Sequence, residues 1–90
     1  MNLNNFYDKK KILITGHTGF KGSWLVQWLS RYNVKIMGIS LDPTTRPNLF
    51  QFINKKKLID VRLDITDYKK LEKKILKFKP DIIYHLAAQP

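Results

Sequence analysis

The chain contains no cysteine. That excludes disulfide staples and thiolate metal sites, and two unclustered histidines do not make a zinc centre in their place. No apolar run approaches the roughly 20 residues needed to span a bilayer, and residues 1–8 lack the apolar core of a signal peptide. A cytoplasmic protein without a membrane partner is therefore expected. Acidic residues are scarce, 7 against 17 Lys plus Arg, giving a formal net charge of +10. Such a balance raises the alternative of a basic nucleic-acid-binding protein. The placement of the lysines argues against it. Lys69, Lys70, Lys73, Lys74 and Lys77 share a helical stretch with Tyr68, Leu71, Ile75 and Phe78, the pattern of a solvated face opposite an apolar one. Lys9–Lys11 precede a strand, and Lys55–Lys57 fall in a loop.

Ninety residues allow one small domain, which buries roughly 60–65% of the surface of its unfolded chain. Its pattern alternates strand and helix, pointing to a parallel sheet covered on both faces. Strands are expected at residues 10–15, 35–40, 58–63 and 81–87. A helix is expected from about residue 20 to 32, apolar on most sides, hence buried all round, with Asn33 as its C-terminal cap. Residues 41–48 must be loop, because Pro43 and Pro47 forbid a ladder, and residues 49–54 can form a short helix. Thr66 or Asp67 should cap a second long helix, stopped near Lys79 by Pro80. The fold class is α/β, the first half of a Rossmann-like doubly wound parallel sheet with strand order 3-2-1-4. Its ligand crevice lies at the carboxyl ends of strands one and four, where the order reverses.

The most informative stretch sits at that switch point. Ile12-Leu13-Ile14 runs into Thr15-Gly16-His17-Thr18-Gly19-Phe20-Lys21-Gly22-Ser23-Trp24-Leu25, three spaced glycines between a strand and an apolar helix. Gly16 allows the sharp turn, Gly19 the close approach of a pyrophosphate, and Gly22 the tight packing of helix on sheet. Free amides at the helix start, with Thr18, Phe20 and Lys21 beside them, favour a phosphate. No Gly-Lys-Ser/Thr follows at the Walker spacing. His17 reads as a loop residue and His85 as a satisfied core histidine. Asp42 stands 20 residues after Gly22, the distance of the carboxylate that binds the adenosine ribose, while Ser40 occupies the end of the expected strand. Arg46, in the same loop, is the candidate for a 2′-phosphate, so NADP stands as the alternative to NAD.

The G-x-x-G-x-x-G spacing resembles that of the extended short-chain dehydrogenase/reductase superfamily. The string Gly-His-Thr-Gly-Phe-Lys-Gly-Ser-Trp-Leu is similar to the opening of the CDP-glucose 4,6-dehydratases. That resemblance runs from about Lys10 to Pro90. It implies NAD as cofactor, with Asp64 accepting from the adenine amino group and the Ile65 backbone facing the ring. Leu86, Ala87, Ala88 and Gln89 match the family's small-residue segment beside the pyrophosphate and nicotinamide ribose. It implies further that residues 1–90 are the amino-terminal part of an NAD-binding domain. The complete protein would convert CDP-glucose to a 4-keto-6-deoxy sugar nucleotide and assemble into homo-oligomers. The family's catalytic Tyr-x-x-x-Lys helix and its substrate domain have no counterpart here. Tyr7 and Lys11 have the spacing but straddle the start of a strand, so no catalytic residue is assigned and this chain alone is expected to be inactive. A free-standing dinucleotide-binding module without catalysis is the alternative reading.

Overall fold

A computed structural model describes residues 2–43 and 48–87. The elements run α1 (Leu3–Tyr7), β1 (Lys10–Thr15), α2 (Phe20–Leu29), β2 (Val34–Ser40), a 3-10 helix (Leu49–Phe52), β3 (Leu58–Arg62), α3 (Tyr68–Phe78) and β4 (Ile82–His85). The four strands are parallel and ordered β3-β2-β1-β4. Each crossover is a helix or a long loop, as parallel pairing demands. All carboxyl ends consequently point to one edge, and β4 is left as an outer strand.

Both faces of the central strands are buried, and the two-residue period sorts the core into two layers. Ile12, Ile14 and Ile36 pack on the α2 side with Val26, Leu29, Phe50 and Ile53. Leu13, Met37 and Ile39 pack on the α3 side with Phe78, supported by Leu71 and Ile75. Gly38 belongs to the α2 layer by the same alternation, but a neighbour takes the space a side chain would fill. A Cβ there would lie 2.3 Å from the His17 ring.

Several expectations are corrected at element ends. α2 stops at Leu29 with Ser30 as its cap, not at Tyr32 with Asn33. Asn33 instead accepts the Lys9 amide through its carbonyl and donates its side-chain amide to Asp8. α2 is not buried all round either: Gly22, Ser23, Val26 and Leu29 face the sheet, while Trp24 is 59% exposed. β4 is shorter than residues 81–87, since its one partner among the described residues, β1, ends at Thr15 opposite His85. Asp67 caps α3, accepting the Lys70 amide, and Lys79 closes it in a left-handed turn before Pro80. Tyr68 does not join the buried face of α3.

α1 was not foreseen. Its anchor is Tyr7, which is buried against Trp28 and Tyr32 of the α2 end. The Tyr7 and Tyr84 hydroxyls share a hydrogen bond of 2.9 Å. Tyr7 and Lys11 thus lie on a helix and a strand, with no shared helical face for a Tyr-x-x-x-Lys pair.

Candidate functional site

β1 delivers the chain to the sheet edge and Gly16 turns it. At φ +82° and with Ala87 of the β4 exit 2.8 Å from where a Cβ would stand, position 16 admits only glycine. Gly22 closes the turn from the other side: a Cβ there would sit 2.1 Å from the Gly16 carbonyl oxygen, so α2 rests directly on the turn. Ser23 adds a hydrogen bond from its hydroxyl to the His17 carbonyl. Gly19 differs from both, because its missing Cβ would face nearly open space, with Gly16 O 3.5 Å away. It is the N-cap of α2, and the Ser23 amide makes the first backbone bond back to its carbonyl. The amides of the first turn therefore have no acceptor within the helix.

In front of that turn lies a cavity of about 940 Å³, across the carboxyl ends of β1, β2, β3 and β4. Ten of the residues singled out in the sequence line it: Gly16, Thr18, Gly19, Phe20, Ser40, Asp42, Asp64, Ile65, Leu86 and Ala87. Lys21 and Gly22 do not. Lys21 instead edges a smaller cavity with Trp24, Trp28 and Leu86, because the helical twist carries it round from the mouth. Gly22 acts through packing. Ala88, Gln89 and Arg46 lie outside the described residues.

The β2 end is a chain of hydroxyls. Thr18 donates to the Leu41 carbonyl, so its contact of 2.8 Å with Ser40 must be a bond that Ser40 donates. Ser40 thereby has lone pairs left toward the cavity but no proton. Asp42, beyond it, is held by the Arg62 guanidinium, N to O 2.5 Å. Asp64 accepts both the amide and the hydroxyl of Thr66 on one oxygen. These two hydrogen bonds hold its carboxyl below the usual range. Asp64 thus shapes its own turn, and the α3 cap falls to Asp67.

The β1–β4 wall is fixed by Thr15. Its hydroxyl shares a hydrogen bond of 2.6 Å with His85 Nδ1 and accepts the Leu86 and Ala87 amides. His85 is exposed and lines the cavity, so the expected core histidine is corrected. The outward pleat of an edge strand puts it there.

His17 is corrected in the opposite sense. It is fully buried under the turn, over Gly38 and edge-on to Phe50. Burial lowers its pKa, although the hydrogen bond with Asp60 works the other way. The neutral ring then donates Nε2–H to Asp60 at 2.6 Å. Asp60 also receives two bonds of 3.0 Å from Arg62. Its partial burial raises the carboxyl, but the bonds from Arg62 and His17 outweigh this and hold it low. Thr15, Asp60 and Arg62 were not singled out in the sequence. Only the parallel register, which sets Ser40 beside Arg62 and Gly38 beside Asp60, brings the last two to the site.

The arrangement defines a class: an open parallel α/β sheet with a glycine turn and a helix N-terminus at its switch point, where free amides can receive an anionic group. The chain belongs to the GDP-mannose 4,6 dehydratase family, whose model matches residues 13–90. It is 45% identical over 87 residues to a CDP-glucose 4,6-dehydratase of Salmonella typhimurium, covering 96% of this chain and 24% of that protein. A UDP-glucose 4-epimerase of Mycolicibacterium smegmatis is 38% identical over 80 residues, 88% of this chain and 25% of its own. Among solved structures, the Bordetella bronchiseptica enzyme WbmH in complex with NAD+ superposes with a TM-score of 0.78 at 29% identity, over 91% of this chain and 27% of its own. A dTDP-glucose 4,6-dehydratase from Bacillus anthracis in complex with NAD gives 0.72 at 26%, over 89% and 27%. The chain spans about a quarter of the length of these relatives.

Proposed function

We propose that this chain is the NAD-binding portion of a nucleotide-sugar 4,6-dehydratase acting on CDP-glucose. The single observation that carries the reading is the opening in front of Gly19, where the α2 amides meet a cavity flanked by acceptors. Space for a pyrophosphate is supported by Gly19, whose missing Cβ would meet only the Gly16 carbonyl within 4 Å among the described residues outside its own turn. Ser40 and Asp42 offer acceptors at the β2 end, suited to the two hydroxyls of an adenosine ribose. Asp64 offers one more to an adenine amino group, beside the apolar Leu63 and Ile65. Leu86 and Ala87 border the cavity at the β1–β4 end, where the small Ala87 side chain leaves room for a nicotinamide ribose.

NAD is favoured over NADP because the groups facing the ribose end are acceptors, and Asp42 would repel a 2′-phosphate. Bound NAD supplies hydride acceptance and return, and the chain's residues supply binding and orientation. CDP-glucose as the substrate of the longer protein rests on the 45% identity to the Salmonella enzyme. Catalysis is assigned to residues outside this chain, since no Tyr and Lys share a helix in the required spacing among the described residues.

The test is calorimetric titration of NAD into the chain and into its Gly19→Val variant. A side chain at 19 makes only ordinary contact with the backbone, so the fold should survive by circular dichroism. The valine methyls would stand where the pyrophosphate lies, and NAD affinity should be lost. Unchanged affinity in a folded variant would refute the phosphate cradle.

A further inference from the structure

Asp42, which lines the cavity, is held by a cation that the cofactor reading does not use. Arg62 is the last residue of β3, and its side chain is 35% exposed. Two of its nitrogens form a fork on Asp60, each at 3.0 Å. Asp60 is in turn fixed by His17, which is fully buried under the glycine turn. The guanidinium plane is thus clamped from behind, with Phe50 stacked 5.2 Å from its centre. One arm is left over, and it reaches out to Asp42. Asp42 is the more exposed of the two carboxylates on Arg62: its side chain is 82% exposed beyond the end of β2, whereas Asp60 is 33% exposed on a strand.

We infer that Arg62 is a specificity-determining residue for the adenosine ribose, a clamped guanidinium whose outward arm Asp42 occupies and thereby withholds from a 2′-phosphate. With Asp42 present, the outward arm is neutralised and the carboxylate faces the ribose, so a free 2′-hydroxyl is selected. With Asp42 neutralised, the same arm can donate a charge-assisted hydrogen bond to a 2′-phosphate oxygen, from a guanidinium that the fork on Asp60 holds in place. NAD selectivity here is then a property of the Asp42–Arg62 pair, not of the carboxylate alone. This inference rests on the dinucleotide reading above and deepens it.

The experiment measures Kd for NAD and for NADP on the wild-type chain, Asp42→Asn, Asp42→Asn/Arg62→Met and Asp42→Asn/Arg46→Met. Asp42→Asn should tighten NADP by about tenfold, the scale of one charge-assisted hydrogen bond gained and one repulsion removed. NAD should weaken in the same variant. Adding Arg62→Met should abolish the gain, and adding Arg46→Met should leave it. If the Arg62→Met variant does not fold, Asp42→Asn/Arg62→Lys replaces it. Lysine keeps the charge but cannot hold Asp60 with two nitrogens while a third group points outward, so loss of most of the gain supports the proposal and full retention opposes it. An Asp42→Asn variant whose NADP affinity stays within about twofold overturns the proposal, as does a gain that depends on Arg46. Wild-type chain that binds neither nucleotide would refute the dinucleotide reading itself, an outcome separate from failure of the Arg62 assignment.

Discussion

His17 carries a conflict at the residue scale. Its imidazole is fully buried, yet it donates to a carboxylate that would welcome a charged ring. Burial prevails, and the folded-state pKa falls below the ordinary 6.5. The sign follows directly. Above about pH 6.5 the ring is neutral in both states and costs nothing. Below it the unfolded chain takes up a proton that the folded chain refuses, so stability falls as acidity increases toward the folded pKa. Denaturant midpoints measured between pH 7.5 and 5 should therefore drop, and His17→Gln should flatten that slope while keeping a donor for Asp60. An equally steep slope in the variant would show that another group titrates. The same residue marks the limit of sequence reading. A histidine between two turn glycines looks like solvent-exposed loop, and nothing local announces that Gly38, 21 positions later, leaves a hole beneath it.

The elements differ in how securely they are fixed. α1 has five residues, too few to hold itself together, and helices this short depend on packing. Tyr7 supplies that packing, touching Trp28 and Tyr32 with its ring and Tyr84 with its hydroxyl. Burial, and then the bond with Tyr84, push its pKa up to about 12. The neutral phenol is thus favoured in the fold, and its contribution is present below pH 10 and lost between about 10 and 12. Tyr7→Ala should cost about 3–5 kcal/mol, as large aromatic truncations do. Tyr7→Phe should cost about 1 kcal/mol and should also lessen the loss of stability above pH 10. Urea unfolding at pH 7.5 and 10.5 separates the two effects. A Tyr7→Ala variant as stable as wild type would make α1 an ornament of the fold.

The long strands and helices were legible from apolar runs and breakers: β1 and the start of α2 stand where their residues place them, and the strand order followed from the alternation. α1 was hidden because its single buried anchor, Tyr7, makes sense only against residues distant in sequence: Trp28, Tyr32 and, 77 positions away, Tyr84. The end of α2 was misjudged because Tyr32 is buried, as a helical residue would be, but in the turn that feeds β2. Of the residues that line the cavity, the turn glycines and Asp42 were expected from spacing, Ser40 from the end of a strand, and Asp64 from the family resemblance. Thr15, Asp60 and Arg62 were not expected, since strand register alone gives them partners.

For the whole molecule the decisive feature is the edge at β4. In a parallel sheet of order β3-β2-β1-β4, that strand pairs on one side only. Ile83 is 53% exposed on it, and Leu86 and Trp24 lie uncovered nearby. An unpaired ladder beside apolar side chains invites association, and the net charge of +10 opposes it over longer range. Screening should tip the balance, because the repulsion weakens with salt and the apolar contact does not. Size-exclusion chromatography at rising NaCl should show this chain moving to larger species, and Ile83→Lys should hold it monomeric. A wild-type chain that stays monomeric at high salt, with protected β4 amides, would show that the edge is already closed.

Gly38 has one more consequence, for descent. The imidazole at 17 and the hydrogen atom at 38 occupy a single shared volume, so the two positions cannot drift separately. Any lineage that acquires a side chain at 38 must first have shed the ring at 17. Losing the ring unhooks Asp60, and with it the clamp behind Arg62. A change in the middle of a buried strand would thus reach the Asp60–Arg62 pair at the end of β3 through an enforced order of substitutions.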